Sequence, residues 1–192
     1  MSILVLTSDT LIGTPATGNL EYNGQFFGTD SNASRAQMQR ITQGTAVAST
    51  SGTSIDFTGL PAWIKKITVM FHGVSTTGAN NWLVQLGTSG GLQTSGYVGQ
   101  GYYYNPGNNA TALSAGFNIA NQQAAQAHGG MLILTLVDTN KWAGMGMFSC
   151  AISGASLSGY VSLSGTLTQL RVTTTTAVDT FDAGSINIIY EG

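Results

Sequence analysis

The chain has 192 residues, and only 7% of them are charged: 6 Lys and Arg against 8 Asp and Glu, for a formal net charge of −2. Six scattered cations cannot form a groove that follows a phosphate backbone, so this composition argues against nucleic-acid binding. Apolar residues make up 42% of the chain, which is enough for a core, and heptads are absent. A disordered chain and a coiled coil are therefore excluded.

The low fraction of charged residues also indicates how much of the protein surface is covered by other molecules. An average soluble domain carries about 25% charged residues, which keep a monomer soluble and protect the edges of its sheets. We therefore expect this chain to hide much of its surface against copies of itself or in a larger assembly. The longest apolar stretch, Met131 to Val137, is far shorter than the roughly 20 residues of a membrane helix, so no membrane partner is expected. Met1 to Leu6 lacks a basic start, so no cleaved leader is expected.

Residues 1–48 are predicted to form an extended N-terminal arm with one small hairpin. Asn23-Gly24 lies between two short runs of alternating side chains, which is the strongest short-range hairpin signal. Asp30 to Asn32 offers capping side chains for a short helix that would reach Gln39. A pair of ordinary edge strands of the main domain is the alternative interpretation.

Residues 49–192 are predicted to form an all-β knob. Ile67, Val69 and Phe71 share one face of a strand because side chains alternate, and similar runs recur at the spacing typical of a sandwich or barrel. Met131 to Val137 is apolar on both faces, which predicts a central strand covered on both sides. Only Asn118 to Ala127, rich in Ala and Gln, is typical of a helix. The expected fold is an antiparallel, jelly-roll-like β-sandwich of eight to ten strands.

Few residues offer metal or thiol chemistry. His72 and His128 are far apart in the sequence and lack the spacing of a metal site, so no metal and no cofactor are predicted. Three copies of one histidine around a three-fold axis are the alternative. Cys150 is the only cysteine, so no intrachain disulfide forms, and we interpret it as a small buried apolar group.

Asp179 and Asp182 are the only close acidic pair in the sequence. Asp side chains in a loop commonly bind backbone amides, so a structural function is favoured over catalysis or calcium binding. The chain has no phosphate-binding glycine loop and no nucleophile elbow in a suitable context. The sequence therefore does not support an enzyme.

Three consecutive tyrosines, Tyr102, Tyr103 and Tyr104, lie in a segment rich in Gly and Asn that runs from Gly101 to Asn109. Tyrosine combines a rigid ring with a hydroxyl group, which suits recognition of sugars or protein surfaces. These residues are candidates for surface recognition. The alternative is that alternate tyrosines pack inward or at a subunit contact.

About three quarters of the chain resembles modules of tailed-bacteriophage virion proteins, mostly tail-fibre and tail proteins. The hairpin segment from Gly18 to Gly24 is similar to one that precedes such modules, and the motif from Asp179 to Glu191 is the most specific. The resemblance is carried by the segments Ile55 to Phe71, Gly73 to Thr76, Val84 to Gly87, Leu134 to Asp138, Leu170 to Thr174 and Asp179 to Glu191.

The resemblance implies a non-enzymatic, trimeric β-sandwich knob on the exterior of a virion, in contact with capsid or tail proteins. Only some 50 residues precede the module, which favours a capsid decoration (cement) protein attached by its N-terminal arm over a complete fibre. Arg35 and Arg40, the only cations of the arm, are the candidate attachment residues. The alternatives are a tail-fibre or receptor-binding tip that contacts a host glycan or protein, and a depolymerase that cleaves surface polysaccharide.

Overall fold

The computed structural model describes residues 10–11, 13–14, 16–23, 25–104, 109–121 and 123–192. These residues form strands, turns and loops but no helix, and the predicted all-β class is confirmed. Residues 1–6, where no leader is predicted, Gly24 of the hairpin turn and residues 105–108 of the tyrosine segment lie outside the described residues. The chain divides into two compact units, Met1–Arg40 and Ile41–Gly192.

The first unit contains a three-stranded antiparallel sheet in the order β1-β2-β3, formed by Leu20–Tyr22, Phe26–Thr29 and Arg35–Gln37. Tyr22 lies opposite Phe26 in the first strand pair, and the two rings are 5.0 Å apart. Asn23 donates its backbone N–H to the Gln25 carbonyl at 3.2 Å. The small hairpin predicted at Asn23 is therefore present.

The short helix that Asp30 to Asn32 could cap is absent, and this segment is a turn between β2 and β3. Asp30 Oδ1 accepts hydrogen bonds from the backbone N–H groups of Asn32 and Ser34, both at 2.9 Å. Asp side chains form such turns as readily as they cap helices. The same capping chemistry serves both structures, and the turn is favoured here because the segment has no apolar face for a helix to bury.

The second unit consists of two antiparallel sheets. Its strands, β4 to β17 in chain order, are Ile41–Gln43, Val47–Ala48, Ser54–Thr58, Lys66–Thr76, Trp82–Thr88, Gly91–Leu92, Val98–Tyr104, Asn109–Ala112, Phe117–Ile119, His128–Asp138, Lys141–Ser149, Gly154–Ser162, Gln169–Thr174 and Phe181–Glu191. The larger sheet has the order β11-β10-β15-β14-β13-β7-β17-β4, with β5 paired to β17. The smaller sheet has the order β12-β8-β16-β6, with β9 paired to β8.

Two differences from the prediction concern short strands. The described residues of the two sheets form more strands than the eight to ten expected, because β5 and β9 have only two residues each and β4 and β12 only three. Strands of two or three residues are too short to show the alternation of apolar and polar side chains by which a strand is recognised in a sequence. Since β4 and β5 pair with β17, the second unit begins at Ile41, before the boundary predicted at residue 48.

The helix predicted for Asn118 to Ala127 is also absent among the described residues of that segment, which are all but Gln122. β12 pairs with β8, and Asn118 lies opposite Leu83. Phe117 and Ile119, on either side of Asn118, are buried in the core. This tertiary pairing outweighs the weak helix preference of the Ala- and Gln-rich residues that follow.

The core lies between the two sheets. Trp82 on β8 and Phe117 on β12 are fully buried, as are Leu132 and Leu134 on β13 of the larger sheet. Trp82 also stacks on Phe71 of β7, with the ring centroids 6.2 Å apart. Each sheet therefore contributes one face to a common core, which makes the second unit a β-sandwich.

Candidate functional site

Strand β14 places glycine on its buried face and methionine on its exposed face. At Gly144, which faces the core, an added Cβ would lie only 2.6 Å from Phe117 Cε1. On the other face, Met145 and Met147 are 63% and 69% exposed. The apolar volume of this strand is therefore directed away from the core of the chain.

Neighbouring strands continue this exposed apolar surface. Met147 lies opposite Met131 on β13 and opposite Ser156 on β15, and Ser156 lies opposite Tyr102 on β10. Residues directly opposite each other in a sheet share a face. We call this surface the methionine–tyrosine face, and its exposed members are Val98, Tyr102, Tyr104, Met131, Met145, Met147 and Tyr160.

The size of the methionine–tyrosine face is that of one side of a protein interface. Its seven side chains are between 41% and 69% exposed. With about 200 Å² for each whole side chain, the face exposes on the order of 700 Å² of mostly apolar surface. The largest apolar patch of a typical monomer covers roughly 300–600 Å², and one partner of a standard interface contributes about 800 Å².

The methionine–tyrosine face is electrically neutral. Within the four described strands that form it, β10, β13, β14 and β15, the Asp, Glu, Lys and Arg residues are Asp138 and Lys141. These two form an ion pair, with Lys141 Nζ 3.2 Å from Asp138 Oδ2. A hydrogen bond from Thr139, and then the hydrogen bond and charge of Lys141, lower the pKa of Asp138. The four strands therefore carry no net charge, and their two charged side chains are paired with each other.

The outer face of the smaller sheet is different because it is polar. Arg171 on β16 lies between Asp56 on β6 and Gln85 on β8. Its Nε and Nη2 donate to the two carboxylate oxygens of Asp56 at 2.6 and 2.7 Å, which raises the pKa of the guanidinium. Exposed apolar side chains are thus concentrated on one outer face of the sandwich.

The run from Met131 to Val137 was predicted to lie inside a sheet and to be covered, and within a single chain only one of its two faces is covered. Its strand, β13, lies inside the larger sheet between β14 and β7. Leu132 and Leu134 point into the core, whereas Met131 and Val137 are exposed. The sequence correctly indicated an apolar second face, but that face lies on the outer side of the sheet.

The three candidate tyrosines lie on strand β10, and the structure separates them. Tyr102 and Tyr104 belong to the methionine–tyrosine face, and Tyr104 Oη is 2.6 Å from Ser156 Oγ. Tyr103 is only 5% exposed, and its hydroxyl accepts a hydrogen bond from Ser153 Oγ at 2.7 Å. Surface recognition therefore stays a prediction for Tyr102 and Tyr104, while the buried Tyr103 helps to fix the strand.

The two candidate attachment residues also differ. Arg35 is held in a two-point ion pair, since its Nε and Nη2 lie 2.8 and 3.1 Å from the carboxylate oxygens of Glu21. This pair joins β1 to β3 within the first unit. Arg40 is exposed at the end of that unit. Attachment through Arg35 and Arg40 stays a prediction.

Asp179 and Asp182 each bind groups of the sandwich itself. Asp179 Oδ2 accepts hydrogen bonds from the Asn80 backbone N–H at 3.0 Å and from Asn80 Nδ2 at 2.8 Å. Asp182 accepts one from the Ser75 hydroxyl. Asp179 thus ties the segment before β17 to the loop that follows β7, whereas Asp182, the second residue of β17, binds β7 itself.

The two histidines and the cysteine do not come together in one site. His128 is buried against Trp82, with ring centroids 5.0 Å apart, and burial lowers its pKa. His72 is exposed. Among the described residues, no group of three or more His, Cys, Asp or Glu could hold a metal ion. Cys150 is half-buried instead of fully buried, and its Sγ lies 3.1 Å from Ser153 Oγ in the turn after β14.

Comparison with protein-family models, with curated proteins and with solved structures found no match. In the described part of the chain, no helix is long and apolar enough to cross a membrane. Met145 and Met147 were not among the predicted interaction residues. The signal was present in the run from Lys141 to Ser149, where glycine and methionine alternate.

Proposed function

We propose that this chain is a non-enzymatic structural protein of a bacteriophage virion, where it forms a homotrimeric β-sandwich knob on the particle exterior. The observation that carries a structural function is the methionine–tyrosine face. A neutral apolar surface of this size marks an interaction site in a soluble protein. The assignment to a virion is supported by the sequence resemblance of Ile55 to Phe71 and of Asp179 to Glu191.

Within the virion, we assign the chain to capsid decoration. The sandwich would form the exposed knob, and the N-terminal residues would attach it to capsid subunits. The attachment residues to test first are Arg35 and Arg40.

A receptor-binding tip of the tail is the second candidate. The observation in its favour is the pair of exposed rings of Tyr102 and Tyr104 on β10. Alternate aromatic side chains on one face of a strand can stack on a sugar ring or on a protein surface. The two candidates differ in where the chain sits and in how many copies a particle carries.

Copy number and location on purified particles test the proposal. Quantitative mass spectrometry gives the number of chains per particle, and electron microscopy with a labelled antibody fragment gives their position. Hundreds of copies over the head are expected for decoration, and a few at the tail would support the tip instead. Complete absence from particles would contradict both.

A separate assay tests the non-enzymatic part of the proposal. The chain is incubated with surface polysaccharide of the host, and reducing ends are counted beside a matched Asp179→Asn, Asp182→Asn variant. We expect no release above background from either protein. Release that is lost in the variant would show a depolymerase.

A further inference from the structure

The glycine of β14 is explained by the core of a single chain, but the exposed methionines of the same strand are not. Its buried face has glycine at a position where Phe117 fills the space, and its exposed face has Met145 and Met147. We propose that the methionine–tyrosine face packs against the same face of a second copy of this chain. This inference goes beyond the proposed function, because contact between two identical faces has two-fold symmetry and joins copies in pairs, so it adds an interface to the three-fold one of the proposed homotrimer.

Charge is the first reason to choose a second copy as the occupant. The charged residues of the four strands, Asp138 and Lys141, already neutralise each other. A basic or acidic partner would therefore find no opposite charge on this face, whereas a second copy meets no repulsion from like charges. Electrostatics makes the face compatible with itself and gives it no preference for a charged partner.

The area of the methionine–tyrosine face is the second reason to choose a second copy as its occupant. Two copies that bury this face would remove on the order of 1,400 Å² from water, which lies within the roughly 1,200–2,000 Å² of a stable, specific interface. Methionine and tyrosine are also enriched at interfaces, while aspartate, glutamate and lysine are depleted. The face therefore supplies enough surface of suitable composition without help from another protein.

The chemistry of the side chains fits the packing of one sheet on another. Stacked sheets lie about 10 Å apart, and side chains from the two faces interdigitate. Met131, Met145 and Met147 have flexible, unbranched side chains that adapt to such a gap. Tyr102 and Tyr160 add hydroxyl groups that can bond polar atoms of the other copy at the rim.

Sedimentation of the purified full-length chain over a range of concentrations tests this inference. The test variant is Met145→Thr with Met147→Thr, since Thr is well tolerated in strands. The matched control is Val178→Thr, which changes an equally exposed residue between β16 and β17. We expect the wild type and the control to associate, and the test variant to need at least a tenfold higher concentration to do so.

A second variant keeps the test decisive if the methionine variant does not fold. Tyr102→Ser with Tyr160→Ser changes the same face on two other strands, and circular dichroism checks both variants for the β-fold. A wild type that stays monomeric at all concentrations overturns the inference, and so do two folded variants that associate like the wild type. Either result is distinct from failure of the proposed function, which is decided by whether the chain is present on virions.

Discussion

Met131 on β13 and Met147 on β14 lie directly opposite each other, and both side chains are exposed. Their sequence neighbours Leu132 and Phe148 point the other way and are buried in the core. The same two strands therefore build the core with one set of side chains and the methionine–tyrosine face with the other. Substitutions on the inner face should change stability, and those on the outer face should change association.

Gly144→Ala should destabilise the sandwich. The new Cβ would meet Phe117 Cε1 at 2.6 Å and Leu134 Cδ2 at 2.9 Å, and forcing an extra methyl group into a packed core typically costs about 1–3 kcal/mol. The control is Gly165→Ala, where the nearest atom is Thr88 Cγ2 at 3.8 Å. Thermal unfolding followed by circular dichroism should show a melting temperature several degrees lower for Gly144→Ala alone.

Tyr97→Phe should also lower stability, although it removes only one oxygen atom. The Leu86 backbone N–H donates to Tyr97 Oη at 2.8 Å, and both residues are buried. Burial raises the pKa of this hydroxyl, so it stays neutral and available as an acceptor. A buried donor left without a partner costs about 1–3 kcal/mol.

The exposed Tyr160 supplies the control for this experiment. Tyr160→Phe removes the same atom from a side chain that is 57% exposed in a single chain, so its free energy of unfolding in urea should match that of the wild type when both are measured at a concentration low enough to keep the chain monomeric. Equal losses in Tyr97→Phe and Tyr160→Phe would show that the hydrogen bond to Leu86 contributes nothing specific.

Stability should fall as the pH falls below about 6.5. Burial lowers the pKa of His128 in the folded chain, whereas the unfolded chain keeps an ordinary histidine pKa of about 6.5. Between these two values, the unfolded state binds a proton that the folded state does not. The contribution of His128 is therefore complete above the unfolded pKa and is lost as the pH decreases toward the folded one.

Melting temperatures of two variants at pH 7.5 and 5.0 test this effect. His128→Asn should show a smaller loss between the two pH values than the wild type, even if it is less stable at both. His72→Gln changes the exposed histidine and should keep the wild-type difference. A wild-type loss that persists unchanged in His128→Asn would assign the pH dependence to other groups.

Arg35→Ala with Arg40→Ala should reduce binding to virus particles more than it reduces the melting temperature of the sandwich. Arg35 is already paired with Glu21, so its loss also weakens the contact between β1 and β3. Glu21→Gln breaks the same pair and keeps both arginines. If Glu21→Gln reduces particle binding as strongly as the arginine variant, the shape of the first unit, and not the arginine charge, drives attachment.

The sequence predicts the parts of this fold that depend on local alternation or on a specific turn. The hairpin at Asn23 and the strand that contains Ile67, Val69 and Phe71 are of this kind. Local sequence does not determine the secondary structure of Asn118 to Ala127, because the pairing of Asn118 with Leu83 joins residues far apart in the chain. Helix preference is a weak effect, and such a long-range contact outweighs it.

In the candidate site, too, some features can be predicted from the sequence, and others depend on contacts between distant residues. The apolar character of Met131 to Val137 can be predicted, but the side on which each residue lies depends on register. Tyr102 and Tyr103 are adjacent in sequence with the same chemistry, yet one is exposed and the other is buried. The pairing of β10 with its neighbours β11 and β15 fixes which tyrosine points outward.

Oxidation of methionine, measured by mass spectrometry after a brief exposure to hydroxyl radicals, tests the central claim most directly. The chain carries its own reference in Met38, which is exposed in the first unit. As the protein concentration rises, oxidation of Met131, Met145 and Met147 should decrease while that of Met38 stays constant. Equal and concentration-independent oxidation of all four residues would contradict the account, because it would mean that no second copy covers the methionine–tyrosine face.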